Sequence, residues 1–400
     1  MCWQGIKMTL TKRNEPLVLI ACDYYFPGYK GGGPIRTLAN LVERLGDEFR
    51  FKIITRDRDF GDRESYPGIS VNSWQNVGKA EVFYSSPQNL SLLALYRLLK
   101  AADYDVIYLN SFFSPFFTIM PLLLRQLRLI PQVPVIVAPR GEFSCGALAL
   151  KGLKKRIYLK FAKMLGLYRS VIWQASSEYE EVDIHRWFGD NVSLVVAPDL
   201  PPSVNTVGVR SSCREKTAGS LKIIFISRIS RMKNLDGALT MLKGLNGKVQ
   251  FNIYGPLEDM DYWMKCKGVI GLLPPNIEVQ YRGVAPHNQV YAVMQEHDLF
   301  FLPTLGENFG HVILEALVAG CPVLISNKTP WCGLEEKGVG WDLPLEQPEK
   351  FRTVLQKFLD MDTQTHRLLS MQAKKYGLQY LQDEKVIKQN HALFKKAIVQ

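Results

Sequence analysis

Residues 299–325 read LFFLPTLGENFGHVILEALVAGCPVLI. An apolar strand runs into Gly306-Glu307-Asn308-Phe309-Gly310, a helix starts near His311, and a second apolar run follows at 323–326. Strand, glycine loop, helix and strand in this order make one unit of a parallel sheet with crossover helices. A helix N-terminus presents unpaired N–H groups and partial positive charge, so the start near His311 can hold a phosphate or another anion. The flanking glycines let a ligand approach the backbone closely. The two carboxylates differ in placement. Glu307 precedes the helix at the strand end, whereas Glu315 lies about a turn inside it, where it can accept both hydroxyls of a ribose.

Working outward, further strands are predicted at 222–226, 249–254 and 277–281, with helices between them. The first half repeats the alternation. Strands are predicted at 17–21 (LVLIA), 51–55, 106–109, 133–138 and 171–174, and helices at 34–45, 90–101, 118–129 and 152–165. Residues 198–220, PDLPPSVNTVGVRSSCREKTAGS, lack periodicity and separate the two series. The expected fold class is α/β, with two doubly wound, Rossmann-like parallel-sheet domains facing a central cleft. The expected divisions are an N-terminal Rossmann-like domain over 1–200, a linker over 201–220, a C-terminal Rossmann-like domain over 221–375 and a helical tail over 376–400 packing back on the first domain. In such sheets ligands gather at the carboxyl ends of strands.

A chain of 400 residues is large enough for two cores, and 47% hydrophobic with 22% charged residues argues against disorder. A formal net charge of +11 suits an anionic partner without choosing one. The seven cysteines, Cys2, Cys22, Cys145, Cys213, Cys266, Cys321 and Cys332, are far apart and form no C-x-x-C pair. That pattern fits free thiols better than a disulfide framework or a zinc site. No metal site or cofactor is expected. Residues 1–15 lack a continuous apolar segment of the kind a secretory signal needs, and the apolar stretch 112–124 is broken by Pro115 and Pro121. A cytoplasmic protein is expected, with any membrane contact peripheral and on the inner face of the cell membrane.

Other loops carry chemistry. In 223–239, IIFISRISRMKNLDGAL, a strand ends at Ser227 and leaves Arg228, Arg231 and Lys233 before a helix, where cations can neutralise a diphosphate leaving group. In 25–37, YFPGYKGGGPIRT, Gly32 and Gly33 offer backbone donors ahead of a helix, but the loop is not the dinucleotide fingerprint G-x-G-x-x-G. In 138–147, APRGEFSCGA, Arg140 and Glu142 follow a strand. Finally, 151–169, KGLKKRIYLKFAKMLGLYR, spaces Leu153, Ile157, Phe161 and Leu165 among cations and contains no acid. Such a helix either lies on anionic lipid or packs its apolar face on the core with a basic face outward.

Glu307 and Glu315, within GENFGHVILEALVAGCPVL, resemble the E-x7-E signature of family 4 glycosyltransferases, which have the GT-B fold. The following SNKTPW resembles a bacterial branch that makes capsule, lipopolysaccharide or exopolysaccharide glycans. Arg228 and Lys233 match the spacing of that family's G-R-x-x-x-x-K pattern, with Ser227 where glycine is common. The resemblance implies a retaining, metal-independent transfer of a sugar from a nucleotide diphosphate donor to a glycan or lipid-linked acceptor. It implies that Glu307 and the adjacent backbone of Asn308, Phe309, Gly310 and His311 engage the donor, that Glu315 holds the ribose, and that Gly32 and Gly33 close over the phosphates. Many family members have a histidine near 140; the Arg-Gly variant here leaves Arg140 to sugar or phosphate and Glu142 to the acceptor. Residues 174–178, QASSE, resemble a cleft segment more weakly. The competing readings are a non-catalytic sugar-nucleotide-binding partner subunit and a same-fold epimerase or hydrolase. Nucleic-acid binding has no recognition motif behind it.

Overall fold

The computed structural model describes residues 15–144, 148, 152–203, 215–286 and 289–399. The N-terminal sheet contains β1 (Leu17–Ala21), β2 (Arg50–Arg56), β3 (Trp74–Val77), β4 (Ala80–Ser85), β5 (Val106–Leu109), β6 (Val135–Val137), β7 (Val171–Ala175) and β8 (Ser193–Val196). Their order is β3-β4-β2-β1-β5-β6-β7-β8, parallel except for the antiparallel edge pair β3–β4. The C-terminal sheet contains β9 (Ser220–Ile226), β10 (Lys248–Tyr254), β11 (Ile277–Tyr281), β12 (Leu299–Leu302), β13 (Val323–Ser326) and β14 (Gly340–Leu343). It is parallel throughout, in the order β11-β10-β9-β12-β13-β14.

The central strands are short apolar runs because helices cover both faces. Every residue of β1, β5, β6, β7, β12 and β13 is buried. Each fully buried Leu, Val, Ile or Phe contributes about 1.5–3 kcal/mol of transfer free energy. The edge hairpin β3–β4 escapes the apolar pattern. It pairs Val77 with Ala80 around Gly78, whose φ of +59° a two-residue hairpin requires. Strands β8 and β14 were likewise not evident in the sequence.

The helices are α1 (Gly33–Leu45), α2 (Leu92–Ala101), α3 (Met120–Gln126), α4 (Gly152–Met164) and α5 (Glu178–Phe188) in the first half. In the second half they are α6 (Leu235–Met241), α7 (Met260–Ile270), α8 (Val290–Gln295), α9 (His311–Ala319), α10 (Pro348–Asp360), α11 (Thr363–Leu381) and α12 (Glu384–Val399). Helix α9 is buried almost all round. Its outer side meets α11, where a Cβ on Gly377 would lie 2.6 Å from the Val318 nitrogen, so only glycine permits the approach.

Helix α12 crosses back to the first sheet. Phe394 packs against Phe49, Phe51 and Tyr108, and the Asn390 side-chain amide donates to the Pro198 carbonyl at 2.7 Å. The end of the expected linker belongs to the second unit, because the buried Lys216 ammonium donates to the carbonyls of Leu359 and Met361 at 3.3 and 3.0 Å. Residues 204–214 of that linker lie outside the described residues, as do Cys2, Cys145 and Cys213. Cys22, Cys266, Cys321 and Cys332 are free thiols.

Candidate active site

A cleft of about 1760 Å³ lies between the carboxyl ends of the two sheets. Its walls include Gly32, Gly33, Arg140, Glu142, Arg228, Lys233, Glu307, Asn308, Phe309, Gly310, His311 and Glu315, so these candidates from four separate loops reach one space.

The C-terminal wall is built from three loops. Strand β9 ends at Ile226 and delivers Arg228, which pairs with Glu258 at 3.0 Å. That loop passes so close to the turn after β10 that a Cβ on Gly255 would sit 1.8 Å from the Ser227 carbonyl oxygen. Lys233 follows in a short 3-10 turn and pairs with Glu307 at 2.5 Å, both side chains about one-tenth exposed. The Glu307 loop is fixed from below by Thr304, whose hydroxyl donates to the Met232 carbonyl at 3.1 Å. Behind it the Trp331 indole N–H donates to the Phe309 carbonyl at 2.6 Å, and Phe309 packs on the His311 ring. Gly310, at a φ of +78°, caps α9 and turns its N-terminus toward the cleft.

Glu315 is buried in the cleft wall. It is 5% exposed and forms an ion pair with Arg36 of α1, a residue that the sequence reading passed over. The pair spans the two domains. Arg36 sits beside the glycine loop, whose Gly32 has a φ of +75° and places its Cα side within 3.4 Å of the Arg228 guanidinium for any added Cβ. The N-termini of α1 and α9 therefore approach each other across the cleft, with Gly33 facing the His311 ring.

The N-terminal wall is a buried polar network. Arg140 adopts a left-handed backbone (φ +57°), and its guanidinium is consumed by an ion pair with Asp199 and hydrogen bonds to Tyr108, Asn110 (2.8 Å) and Ser176 (3.3 Å). The hydroxyl of Thr37 donates to Asp199 at 2.8 Å and lies 2.9 Å from His311 Nε2. Thr37 has one hydroxyl proton, so its oxygen accepts from His311 Nε2–H. Burial pushes the His311 pKa down to about 4, with Asp199 opposing and Arg36 and Arg140 reinforcing the shift, so the ring is neutral at pH 7.

Two carboxylates in this wall anchor backbone. Glu142 accepts from the N–H groups of Phe112 (2.5 Å) and Phe113 (3.1 Å) and from the Ser111 hydroxyl, and burial raises its pKa. Glu180 accepts from Gly141 N–H (2.6 Å) and Ser176 N–H (2.7 Å), and burial raises its pKa too. The Asn308 amide donates to the Ser176 hydroxyl at 2.9 Å, joining this network to the opposite wall. Of the weakly resembling 174–178 segment, Ser177 reaches the cleft, and the next helical turn adds Tyr179 and Glu180.

Thr37, Asp199, Glu180, Arg36 and Glu258 were not singled out from the sequence, and Ser176 entered only within the weakly resembling 174–178 segment. A polar residue after each strand end was the available signal for Ser176 and Glu258. Asp199 stood in a proline-rich stretch that reads as linker.

Residues 214–376 match the family model of glycosyl transferases group 1. A Klebsiella pneumoniae protein described as an uncharacterized 41.2 kDa protein in the cps region is 26% identical over 244 residues, which is 59% of this chain and 63% of that one. The chain thus spans a little under two thirds of this relative's length. Among solved structures, sucrose-phosphate synthase from Thermosynechococcus elongatus superposes with a TM-score of 0.71 at 16% identity, covering 96% of this chain and 99% of that one. Anabaena HepE, solved with UDP and glucose, superposes with a TM-score of 0.70 at 17% identity, covering 96% and 100%. These likenesses establish the fold. The chain is a two-domain GT-B protein that resembles surface-polysaccharide glycosyltransferases, and its match to the glycosyl transferases group 1 model falls on the second domain.

Proposed function

We propose that the protein is a retaining hexosyltransferase of the family 4 type. In this reading it moves a sugar from a nucleotide diphosphate donor to a glycan or lipid-linked acceptor in surface-polysaccharide synthesis. The observation that carries it is convergence. Arg228, Lys233 and the N-termini of α1 and α9 bring positive charge to one cleft that also holds Glu307 and Glu315. The pairing of a cationic pocket with carboxylates fits a ligand that is a diphosphate at one end and polyhydroxylated at both.

The chemistry follows from those groups. The diphosphate lies against Arg228, Lys233 and the start of α9, displacing Glu258 and Glu307 from their cations. Glu307, once released, accepts from hydroxyls of the donor sugar. Glu315 exchanges Arg36 for the ribose hydroxyls, and Arg36 is then free to meet phosphate. The bond between the anomeric carbon and the diphosphate oxygen breaks while an acceptor hydroxyl adds on the same face. Its proton passes to the departing diphosphate oxygen, so charge and atoms balance. Arg228 and Lys233 hold the developing negative charge, the work that preorganised cations do best in a dry cleft. No cofactor or metal is called on. The apolar rim of Val284, Ala285 and Pro286 offers a face for the base. HepE, a structural neighbour, was solved with UDP and glucose, which supports a nucleoside diphosphate sugar as donor.

Incubation with UDP-, GDP-, ADP- and TDP-sugars, with and without glycan and lipid-linked acceptors, tests this reading. Acceptor-dependent release of the nucleoside diphosphate, with the donor's anomeric configuration kept in the product, is the expected result. Release that ignores acceptor makes the protein a hydrolase, and binding without turnover makes it a non-catalytic partner subunit.

A further inference from the structure

Helix α4 carries its apolar residues on the outside. Leu153, Ile157, Phe161 and Met164 are 76%, 46%, 55% and 73% exposed, and at these spacings they form one stripe along the helix. Leu159 and Ala162 face the core instead. The bland reading of this segment, an apolar face on the core and a basic face in water, therefore has the helix the wrong way round. Lys154, Arg156 and Lys160 flank the stripe, and no acid occurs between residues 151 and 169.

The patch continues onto a second element. The Gln126 amide at the end of α3 donates to the Leu165 carbonyl at 2.7 Å. That contact sets Leu127 (66% exposed) and Leu129 (46% exposed), with Arg128 between them, beside the end of α4. The other side of the helix reaches the cleft, because Lys155 lines it and lies 4.9 Å from the Phe113 ring. No helix among the described residues is long and apolar enough to cross a membrane.

We propose that α4 and the adjoining 127–129 loop form a docking surface for an anionic lipid membrane. Ile157, Phe161 and Met164 enter the acyl boundary and the flanking cations meet lipid phosphates. An apolar stripe bordered by cations matches a surface that is charged outside and oily within. A second copy of the chain would set these cations against like charges, and a nucleic acid would leave the aliphatic stripe bare. The surface deepens the proposed transfer to a lipid-linked acceptor, since it presents the cleft edge at Lys155 to the membrane. It rests on that reading for the acceptor alone, not for adsorption.

The test is sedimentation of the full-length protein with vesicles of phosphatidylcholine alone and of phosphatidylcholine mixed with phosphatidylglycerol. Wild type is expected to partition onto the mixed vesicles only. Ile157→Ser/Phe161→Ser is expected to weaken partitioning at least tenfold. Lys154→Glu/Lys160→Glu is expected to weaken it about fivefold or more per charge reversed. Neither pair lines the cleft, so nucleotide-sugar affinity measured on the same preparations stays at the wild-type value and certifies the fold. Wild type left in the supernatant overturns the proposal. So does equal partitioning of the Ser variant, or self-association that Phe161→Ser abolishes, or single-stranded DNA binding that competes with vesicles and ignores the Ser substitutions. Vesicle binding without any nucleotide-sugar binding retains the docking surface and sinks the transfer reading instead.

Discussion

Arg228 and Arg140 each follow a buried strand and line the same cleft, yet Arg228 keeps 41% of its side chain exposed and Arg140 only 5%. Arg228 rests on Glu258, a half-buried carboxylate it can leave. Arg140 is tied to Asp199, Tyr108, Asn110 and Ser176, which take four of its five N–H donors. Partly exposed ion pairs contribute about 0–1 kcal/mol, whereas breaking a buried pair costs about 3–5 kcal/mol. The C-terminal wall is thus built to exchange partners with a ligand. The N-terminal wall is built to hold its shape, with His311 and Asn308 of the second domain docked onto it.

The largest effect separates the two arginines directly. Arg140→Met strands Asp199 in the interior and is expected to destabilise the protein by about 3–5 kcal/mol, while Arg228→Met costs about 1 kcal/mol or less. Denaturant unfolding of both variants reads the difference, and equal midpoints break the comparison. Next, Lys233→Ala is expected to lower turnover about a hundredfold to a thousandfold through the lost leaving-group cation. A kcat loss without a comparable loss of donor affinity sharpens the assignment. Loss of folding in place of turnover would move Lys233 to the structural side.

Much of this contrast was invisible in the sequence, for a physical reason. The stretch from Leu299 to Ile325 declares its strand, loop and helix because every element is local and apolar, and the C-terminal loops place Arg228, Lys233 and Glu307 where a ligand can reach them. Partners are another matter. Arg140 meets Asp199 across a long loop closure, and Arg36 meets Glu315 across the whole chain, so neither pair leaves a local pattern. Glu142 looked available to an acceptor, but its Oε2 is taken up by the backbone at Phe112 and Phe113 and its Oε1 by the Ser111 hydroxyl. In α4 the spacing of apolar residues was legible while its direction was not, because periodicity gives a face without saying what covers it.

Smaller effects refine the picture. Glu315→Gln removes the charge that pairs with Arg36 and that the proposed reading assigns to the ribose, and is expected to weaken nucleotide-sugar binding roughly tenfold to a hundredfold, since hydrogen bonds to a charged group contribute about 1.5–3 kcal/mol. Calorimetric titration checks this, and unchanged affinity would place Glu315 outside the donor site. A separate effect is pH dependence at the domain interface. His311 is held neutral, its pKa lowered by burial to about 4 against about 6.5 when unfolded. Its contribution to stability is full above pH 6.5 or so and is lost as pH falls through that window toward 4. Unfolding midpoints of wild type and His311→Gln should therefore converge on acidification, and parallel curves would contradict the assignment.

The central claim is that the C-terminal wall binds a nucleotide diphosphate sugar through cations that let go of their carboxylates. Titration of the wild type with UDP-, GDP-, ADP- and TDP-sugars, beside Lys233→Ala and Glu307→Ala, tests it most directly. The account predicts one preferred donor, bound at least tenfold more weakly by both variants although both remain folded. A folded wild type that binds none of the donors, or variants that bind as tightly as the parent, would contradict it.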